Sequence, residues 1–93
     1  MTGWDDKMSG LRQRFIDRTA ADRALLGDGI RRDRGELELI AHRISGSAGM
    51  FGFVELGTAA EELEEAIRNL CDESTLEKHV MRLDAEIDRI QPR

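Results

Sequence analysis

The sequence predicts an all-α protein, an antiparallel up-down-up-down four-helix bundle with a short additional N-terminal helix. Apolar residues recur at spacings of three and four along most of the chain, which is the period of a helix with one buried face. These residues are mostly Leu, Ile and Ala, the only proline is Pro92, and no stretch alternates apolar and polar residues as a strand would. The 93 residues suffice for one domain, which is expected to span residues 1–93.

One or two shorter helices are expected before residue 33. The apolar stripe of the first, short helix consists of Trp4, Met8, Leu11 and Phe15. A second helix is expected to start near Thr19 and Asp22 and to weaken at Gly27 and Gly29. Its apolar residues are Ala21, Ala24, Leu25 and Ile30. Gly35 then breaks the chain in a short connection.

Three longer helices follow. The first is expected to begin near Glu36 and to end near Gly52 and Phe53, and its core face consists of Leu37, Ile40, Ala41, Ile44, Ala48 and Phe51. The stripe of the second consists of Leu56, Ala59, Ala60, Leu63, Ile67 and Leu70. Ser74 and Glu77 fit a capping box at the start of the last helix. The stripe of that helix consists of Leu76, Val80, Leu83, Ile87 and Ile90.

The stretch IAHRISGSAGMFGF around His42 places glycines in a helix, where each costs about 1 kcal/mol relative to alanine. On a helical wheel, His42 points roughly 140° away from the centre of the core face and is expected to face solvent. Leu39, Ser45, Gly46 and Gly49 lie on the same side. Because glycine allows close approach, this arrangement indicates a surface on which a partner docks. Two simpler interpretations stay open: glycines that let helices of this protein pack tightly, and an ordinary polar surface histidine.

Composition excludes several other classes of function. The formal charge of −5 argues against nucleic acid as the main partner, because binding a phosphate backbone needs clustered Lys and Arg. No apolar run approaches the ~20 residues of a membrane span, and no signal peptide is recognisable. Cys71 is the only cysteine, so a disulfide framework is not expected. No metal site is expected, and a solvated face is predicted for Glu61, Glu62, Glu64 and Glu65. A monomeric cytoplasmic protein is the expectation.

The segment around His42 resembles the histidine-containing phosphotransfer (HPt) domain family. The family motif is His-x-Leu-Lys-Gly, followed by small residues, a further Gly and a helix with Leu, Ala, Leu and Glu. The matching residues here are His42, Arg43, Ile44, Ser45 and Gly46. Those of the next helix are Leu56, Ala59, Ala60, Leu63 and Glu64. The resemblance extends from about residue 11 to residue 90.

The resemblance implies a four-helix bundle in which His42 accepts a phosphoryl group on Nε2 and passes it on. The implied partners are response-regulator receiver domains, a hybrid histidine kinase, or both. The relay then runs between receiver aspartates, or from a kinase to a response regulator. Mg²⁺ is expected only on the receiver, and this chain is expected to hold no cofactor. It has no GxxxxGK loop for a nucleotide and is expected to be a relay intermediate rather than an enzyme.

One position departs from the family, because Ser45 stands where a lysine is common. Two arginines are candidates to supply the missing positive charge. Arg68 lies one turn beyond residue 64, which is level with His42 if the two helices are antiparallel. Arg43 follows His42 but points about 100° away around the helix. That both arginines are merely solvated surface charges stays an open alternative.

Two other functions also stay open. The serine in place of lysine favours a binding module of the same fold, which docks a receiver or kinase without being phosphorylated. The exposed histidine is equally compatible with a phosphatase that acts on phospho-aspartate.

Overall fold

The computed structural model describes residues 3–27 and 33–92, with side chains from residue 7 onward. Within these ranges, the helices are α1 (Gly3–Leu26), α2 (Arg34–Ala48), α3 (Val54–Arg68) and α4 (Glu73–Ile90). A 3₁₀ turn, Gly49–Phe51, follows α2. The described residues contain no strand, which confirms the all-α prediction. None of these helices is long and apolar enough to cross a membrane.

The four helices share one core, in which α2 and α4 each pack against α1 and α3. The stripes predicted for α2, α3 and α4 supply most of it: Leu37, Ile40, Ala41, Ile44, Ala48, Leu56, Ala59, Ala60, Leu63, Ile67, Leu76, Val80, Leu83 and Ile87 are buried. Phe51 and Ile90 are partly buried against this core. Leu70 is exposed (85%), because it lies beyond the end of α3. Its backbone is left-handed, with a φ of 56°.

The N-terminal helix differs from the prediction. α1 is one helix with no break near Thr19 and Asp22, so the separate short N-terminal helix was wrong. The buried hydroxyl of Thr19 donates to the carbonyl oxygen of Phe15 at 2.6 Å, which satisfies it inside the helix. Asp22 caps no helix and instead binds Arg43 of α2. Of the apolar stripes predicted for this region, Phe15 is buried and Met8 and Leu25 are partly buried, but the prediction was wrong for Leu11, Ala21 and Ala24, which are exposed. The predictions for Trp4, Gly29 and Ile30 concern residues or side chains outside the described part.

The ends of α2 fix its position beside α3. The carboxylate of Asp33 accepts a hydrogen bond from the backbone N–H of Gly35 at 3.0 Å and caps the start of α2. Gly52 has a φ of 81°, which favours glycine, and it turns the chain towards α3. The backbone N–H of Phe53 then donates to the carbonyl oxygen of Ala48 at 3.0 Å. α2 itself ends at Ala48, and the 3₁₀ turn continues it to the end that the sequence predicts near Gly52 and Phe53. The break expected at Gly35 was wrong, because α2 already begins at Arg34.

The start of α4 corrects the predicted capping box. Asp72 is the N-cap, and its carboxylate accepts a hydrogen bond from the backbone N–H of Thr75 at 2.8 Å. Hydrogen bonding from Thr75 lowers the pKa of Asp72 below its usual value. Because α4 begins at Glu73, Ser74 already lies inside the helix, and it does not form the predicted box with Glu77.

Candidate functional site

His42 lies on the outer face of α2, opposite the residues that α2 buries in the core. Its side chain is 66% exposed. Its Nδ1 atom lies 2.7 Å from Oε2 of Glu64 in α3. The imidazole therefore has one nitrogen fixed by the protein and a large part of the ring open to a partner.

Glu64 is buried, with only 8% of its side chain exposed. The prediction of a solvated face for this residue was therefore wrong. A buried carboxylate needs hydrogen-bond donors, and Glu64 has two of them on one oxygen atom. Nδ1 of His42 is one, and the Nη2 group of Arg68 is the other, at 2.8 Å. The sequence does indicate this contact, because residue 64 is level with His42 when the two helices are antiparallel.

Arg68 joins the site to the start of α2. Its Nε atom donates to Oε2 of Glu38 at 3.0 Å, while its Nη2 group donates to Glu64. The hydrogen bond with Glu38 and the charge of Glu64 raise the pKa of Arg68 further above its usual value. Sequence reasoning missed Glu38 entirely. Together with Gly35 and Leu39, these side chains and His42 line a shallow depression on the surface.

The contact with Glu64 sets the tautomer of the imidazole. A carboxylate only accepts hydrogen bonds, so a neutral ring bound to Glu64 carries its proton on Nδ1. Nε2 then holds the free lone pair. The arrangement provides a nucleophilic nitrogen on an exposed ring whose orientation is held by a buried group.

Arg43 does not join this network. Its Nη2 group donates to Oδ1 of Asp22 at 3.0 Å, which directs the side chain towards α1 and away from α3. Burial raises the pKa of Asp22, while the charges of Arg43 and Arg18 act against that rise. Of the two arginines considered, the structure brings only Arg68 into contact with the partner of His42.

Four other predicted residues flank His42 on the open side of α2. Leu39 is 60% exposed, although it is a large apolar residue. Gly46 and Gly49 are exposed, and a Cβ atom added at either would meet nothing within 4 Å. The interpretation that these two glycines let helices of this protein pack tightly is therefore wrong. The hydroxyl of Ser45 donates to the backbone carbonyl oxygen of His42 at 3.0 Å.

Other polar residues of the described ranges lie away from His42. No group of three or more His, Cys, Asp or Glu side chains there is arranged to hold a metal ion. The carboxylate of Glu62, on another side of α3, pairs with Arg82 of α4. Cys71 is half-buried, and its carbonyl oxygen accepts a hydrogen bond from Arg34.

Comparison with known proteins gives one match. A family model described as the Hpt domain matches residues 10–92, which is most of the chain and includes all the residues of the site. No curated protein and no solved structure matches the chain.

Proposed function

Because this chain belongs to the Hpt domain family, whose members carry out histidine phosphotransfer in two-component signalling, we propose that His42 is its phosphoacceptor. The phosphoryl group passes between receiver-domain aspartates, or from a histidine kinase to a response regulator. The observation that carries the proposal is the exposed imidazole whose Nδ1 is held by the buried carboxylate of Glu64 at 2.7 Å.

The transfer uses the lone pair on Nε2. This pair attacks phosphorus as the P–O bond to the receiver aspartate breaks, and the aspartate leaves as a carboxylate with the bonding electrons. The ring becomes positively charged while Nδ1 keeps its proton, and the carboxylate of Glu64 stabilises that charge through a charge-assisted hydrogen bond. In the reverse direction the ring takes back the electron pair and leaves as neutral imidazole.

Position and charge supply most of the catalysis in such a step, since the transition state is loose and spreads charge over the equatorial oxygens. Arg68 is the candidate from this chain for contact with those oxygens. In this proposal the receiver supplies the aspartate and a Mg²⁺ ion, and this chain needs no cofactor of its own.

The proposal includes the surface on which the receiver lands. Exposed Leu39 and the open backbone at Gly46 and Gly49 support a docking face around His42. It also includes the up-down-up-down order of the helices in one domain, a monomer, and a place in the cytoplasm. The antiparallel order of α2 and α3 is supported by two pairs between them, His42 with Glu64 and Glu38 with Arg68, since a step back along α2 goes with a step forward along α3.

One specific observation favours a second function. Ser45 replaces the lysine expected near the phosphoryl group, which favours a binding module that docks a receiver without being phosphorylated. A phosphatase that acts on phospho-aspartate would need the same exposed histidine.

Mixing the protein with a receiver domain phosphorylated on its aspartate separates these functions. We expect acid-labile, base-stable label on the wild-type protein and none on His42→Ala, with helical circular dichroism retained. His79→Ala is the matched control, because His79 is a half-buried histidine of α4, and it should keep the label. A complex without label would indicate the binding module, and release of phosphate without label would indicate the phosphatase. Label that persists in His42→Ala would contradict the assignment of the phosphoacceptor.

A further inference from the structure

Arg68 is already engaged on both sides by carboxylates before any phosphoryl group is present. Its Nε atom binds Glu38 at 3.0 Å, and its Nη2 group binds Glu64 at 2.8 Å. One cation therefore faces two anions beside His42. A phosphoryl group on Nε2 carries about −1.5 to −2 charges. The positive charge that the ring gains offsets only one of these, so phosphorylation adds negative charge to a site that already has more negative than positive charge.

We propose that Glu38 is a positioning residue, which holds Arg68 back from the phosphoryl group and so keeps phospho-His42 short-lived and ready to be donated. This inference rests on the proposed function of His42. It assigns to Glu38 a role in setting how much phosphohistidine accumulates.

The two carboxylates differ in how readily they can release Arg68. Glu64 is 8% exposed and also binds Nδ1 of His42, so its carboxylate cannot move away from Arg68 without breaking the contact with His42. Glu38 is 35% exposed, and water can solvate it when its partner leaves. Arg68 itself is 60% exposed and has room to turn. Glu38 is therefore the partner that Arg68 would exchange for phosphoryl oxygens.

Glu38 also lies on the same side of α2 as His42, one helical turn before it. Both residues line the same depression. Its carboxylate therefore opposes phosphorylation in two ways: it occupies the guanidinium group, and it repels the incoming negative charge. Removal of the charge at position 38 should relieve both effects.

The test uses phosphoramidate as a small donor, so that no partner protein is required. After phosphorylation and removal of the donor, water attacks phosphorus, the P–N bond breaks, and His42 regains its lone pair as phosphate leaves. The half-life of this loss is measured by ³¹P NMR. We expect Glu38→Gln to lengthen it by about two- to five-fold, the range of a partly exposed charge pair.

Two further variants show whether the effect passes through Arg68. Arg68→Gln should shorten the half-life or leave it unchanged, and the double variant Glu38→Gln/Arg68→Gln should lose most of the gain. Glu62→Gln is the control, because it breaks a cross-helix pair of the same kind, with Arg82, away from His42. It should behave as the wild type. A merely structural role of Glu38 would change thermal unfolding without changing the half-life.

The outcomes separate this inference from the proposal on which it rests. No label on the wild-type protein from phosphoramidate or from a receiver would overturn both. Label with equal half-lives in the wild type, Glu38→Gln and Glu62→Gln would overturn only the role of Glu38. A gain that survives in the double variant would also overturn it, because Arg68 would not be the mediator.

Discussion

The two flanks of α2 each carry a pair of a buried carboxylate and an arginine, yet the pairs do different things. On the α3 flank, Glu64 is 8% exposed and binds both Arg68 and the exposed His42. On the α1 flank, Asp22 is 10% exposed and binds Arg43. His42 and Arg43 are neighbours in the sequence, but the helical turn of about 100° per residue sends them to different sides.

The difference lies in what else each carboxylate holds. The buried carboxylate of Glu64 orients the imidazole of His42, which reaches solvent and is free to react. Asp22 and Arg43 face each other between α1 and α2, and Nε of Arg43 is buried without a hydrogen-bond partner. The α1 flank is thus a contact between helices that is not perfectly satisfied. The same chemical pair serves a proposed reaction on one side and the joining of two helices on the other.

The largest expected effect comes from blocking the approach of a receiver domain to His42. Gly46→Leu places a side chain one turn beyond His42, where a Cβ atom meets nothing within 4 Å. We expect transfer from a phosphorylated receiver to be almost abolished, while folding is kept and stability rises by up to ~1 kcal/mol, since Leu favours helix over Gly. Phosphoramidate, which is small, should still label His42. Gly10→Leu is the control, because Gly10 is an equally open helical glycine of α1. Receiver-dependent transfer at the wild-type rate in Gly46→Leu would mean that receivers do not dock there.

Removal of one charge tests the α3 flank itself. Glu64→Gln keeps the size of the side chain and an oxygen that can accept from Nδ1, but it removes the negative charge beside the ring. We expect acceptance by His42 to slow by about 10- to 100-fold, since hydrogen bonds to charged groups contribute about 1.5–3 kcal/mol. Rates of labelling by phosphoramidate check this. Glu62→Gln should change nothing, and an unchanged rate in Glu64→Gln would show that the carboxylate only holds the ring in place.

On the α1 flank the corresponding change should affect stability and not transfer. Arg43→Gln leaves Asp22 buried without its cation, which should cost about 1–3 kcal/mol of unfolding free energy at neutral pH. Chemical denaturation measures this, and Arg82→Gln, in an exposed pair, should cost only about 0–1 kcal/mol. A slower labelling of His42 in a folded Arg43→Gln variant would contradict the separation of the two flanks.

The cost of Arg43→Gln should also depend on pH. Burial raises the pKa of Asp22 in the folded state above 3.8, so the folded protein holds this proton more tightly than the unfolded chain. The contribution of Asp22 to the free energy of unfolding is therefore fully present below its pKa in the unfolded chain, and it is lost as pH rises through its raised pKa in the folded state. Loss of Arg43 removes a charge that lowers the pKa, so the fall should be larger in the variant. The difference from the wild type should grow with pH and then level off.

Sequence reasoning found the residues of the site on α2 and, from the register of antiparallel helices, Arg68 of α3, but it missed the burial of Glu64 and the contact with Glu38. The helical period alone places His42, Gly46 and Gly49 on one side of α2. Glu64 stands in a row of four glutamates, and nothing in that row distinguishes a buried carboxylate from an exposed one. Only the docking of α3 against His42 of α2 makes the difference.

The sequence of one segment also does not show how that segment packs against the others, which explains the errors in α1 and at the start of α4. Thr19 and Asp72 are both residue types that begin helices. Thr19 lies inside a helix, where its hydroxyl donates to the carbonyl oxygen of Phe15, whereas Asp72 does cap α4. The choice between these local options is decided by packing of the surrounding core, since Thr19 is buried and Asp72 is exposed.

The smallest expected effect comes from Ser45→Lys, which would restore the residue that the family commonly has. Ser45 lies three residues after His42, and its hydroxyl binds the backbone carbonyl oxygen of His42, so a longer side chain there starts close to the ring. We expect receiver-dependent labelling to speed up by about two- to five-fold, the effect of about 0.5–1 kcal/mol from a partly exposed charge pair. The gain should shrink as salt is added, because screening acts within about 10 Å at 0.1 M ionic strength.

Combining Ser45→Lys with the loss of an arginine tests which flank of α2 supplies positive charge to the phosphoryl group. If Arg68 supplies the positive charge in the wild type, Arg68→Gln should slow labelling and Ser45→Lys should restore it, whereas Arg43→Gln should leave labelling unchanged. Rates for the single and double variants, measured at two salt concentrations, separate these cases. No loss in Arg68→Gln and no gain from the lysine would mean that cations on this chain do not contribute. The receiver alone would then neutralise the phosphoryl group, and the α3 flank would act only through the carboxylate of Glu64.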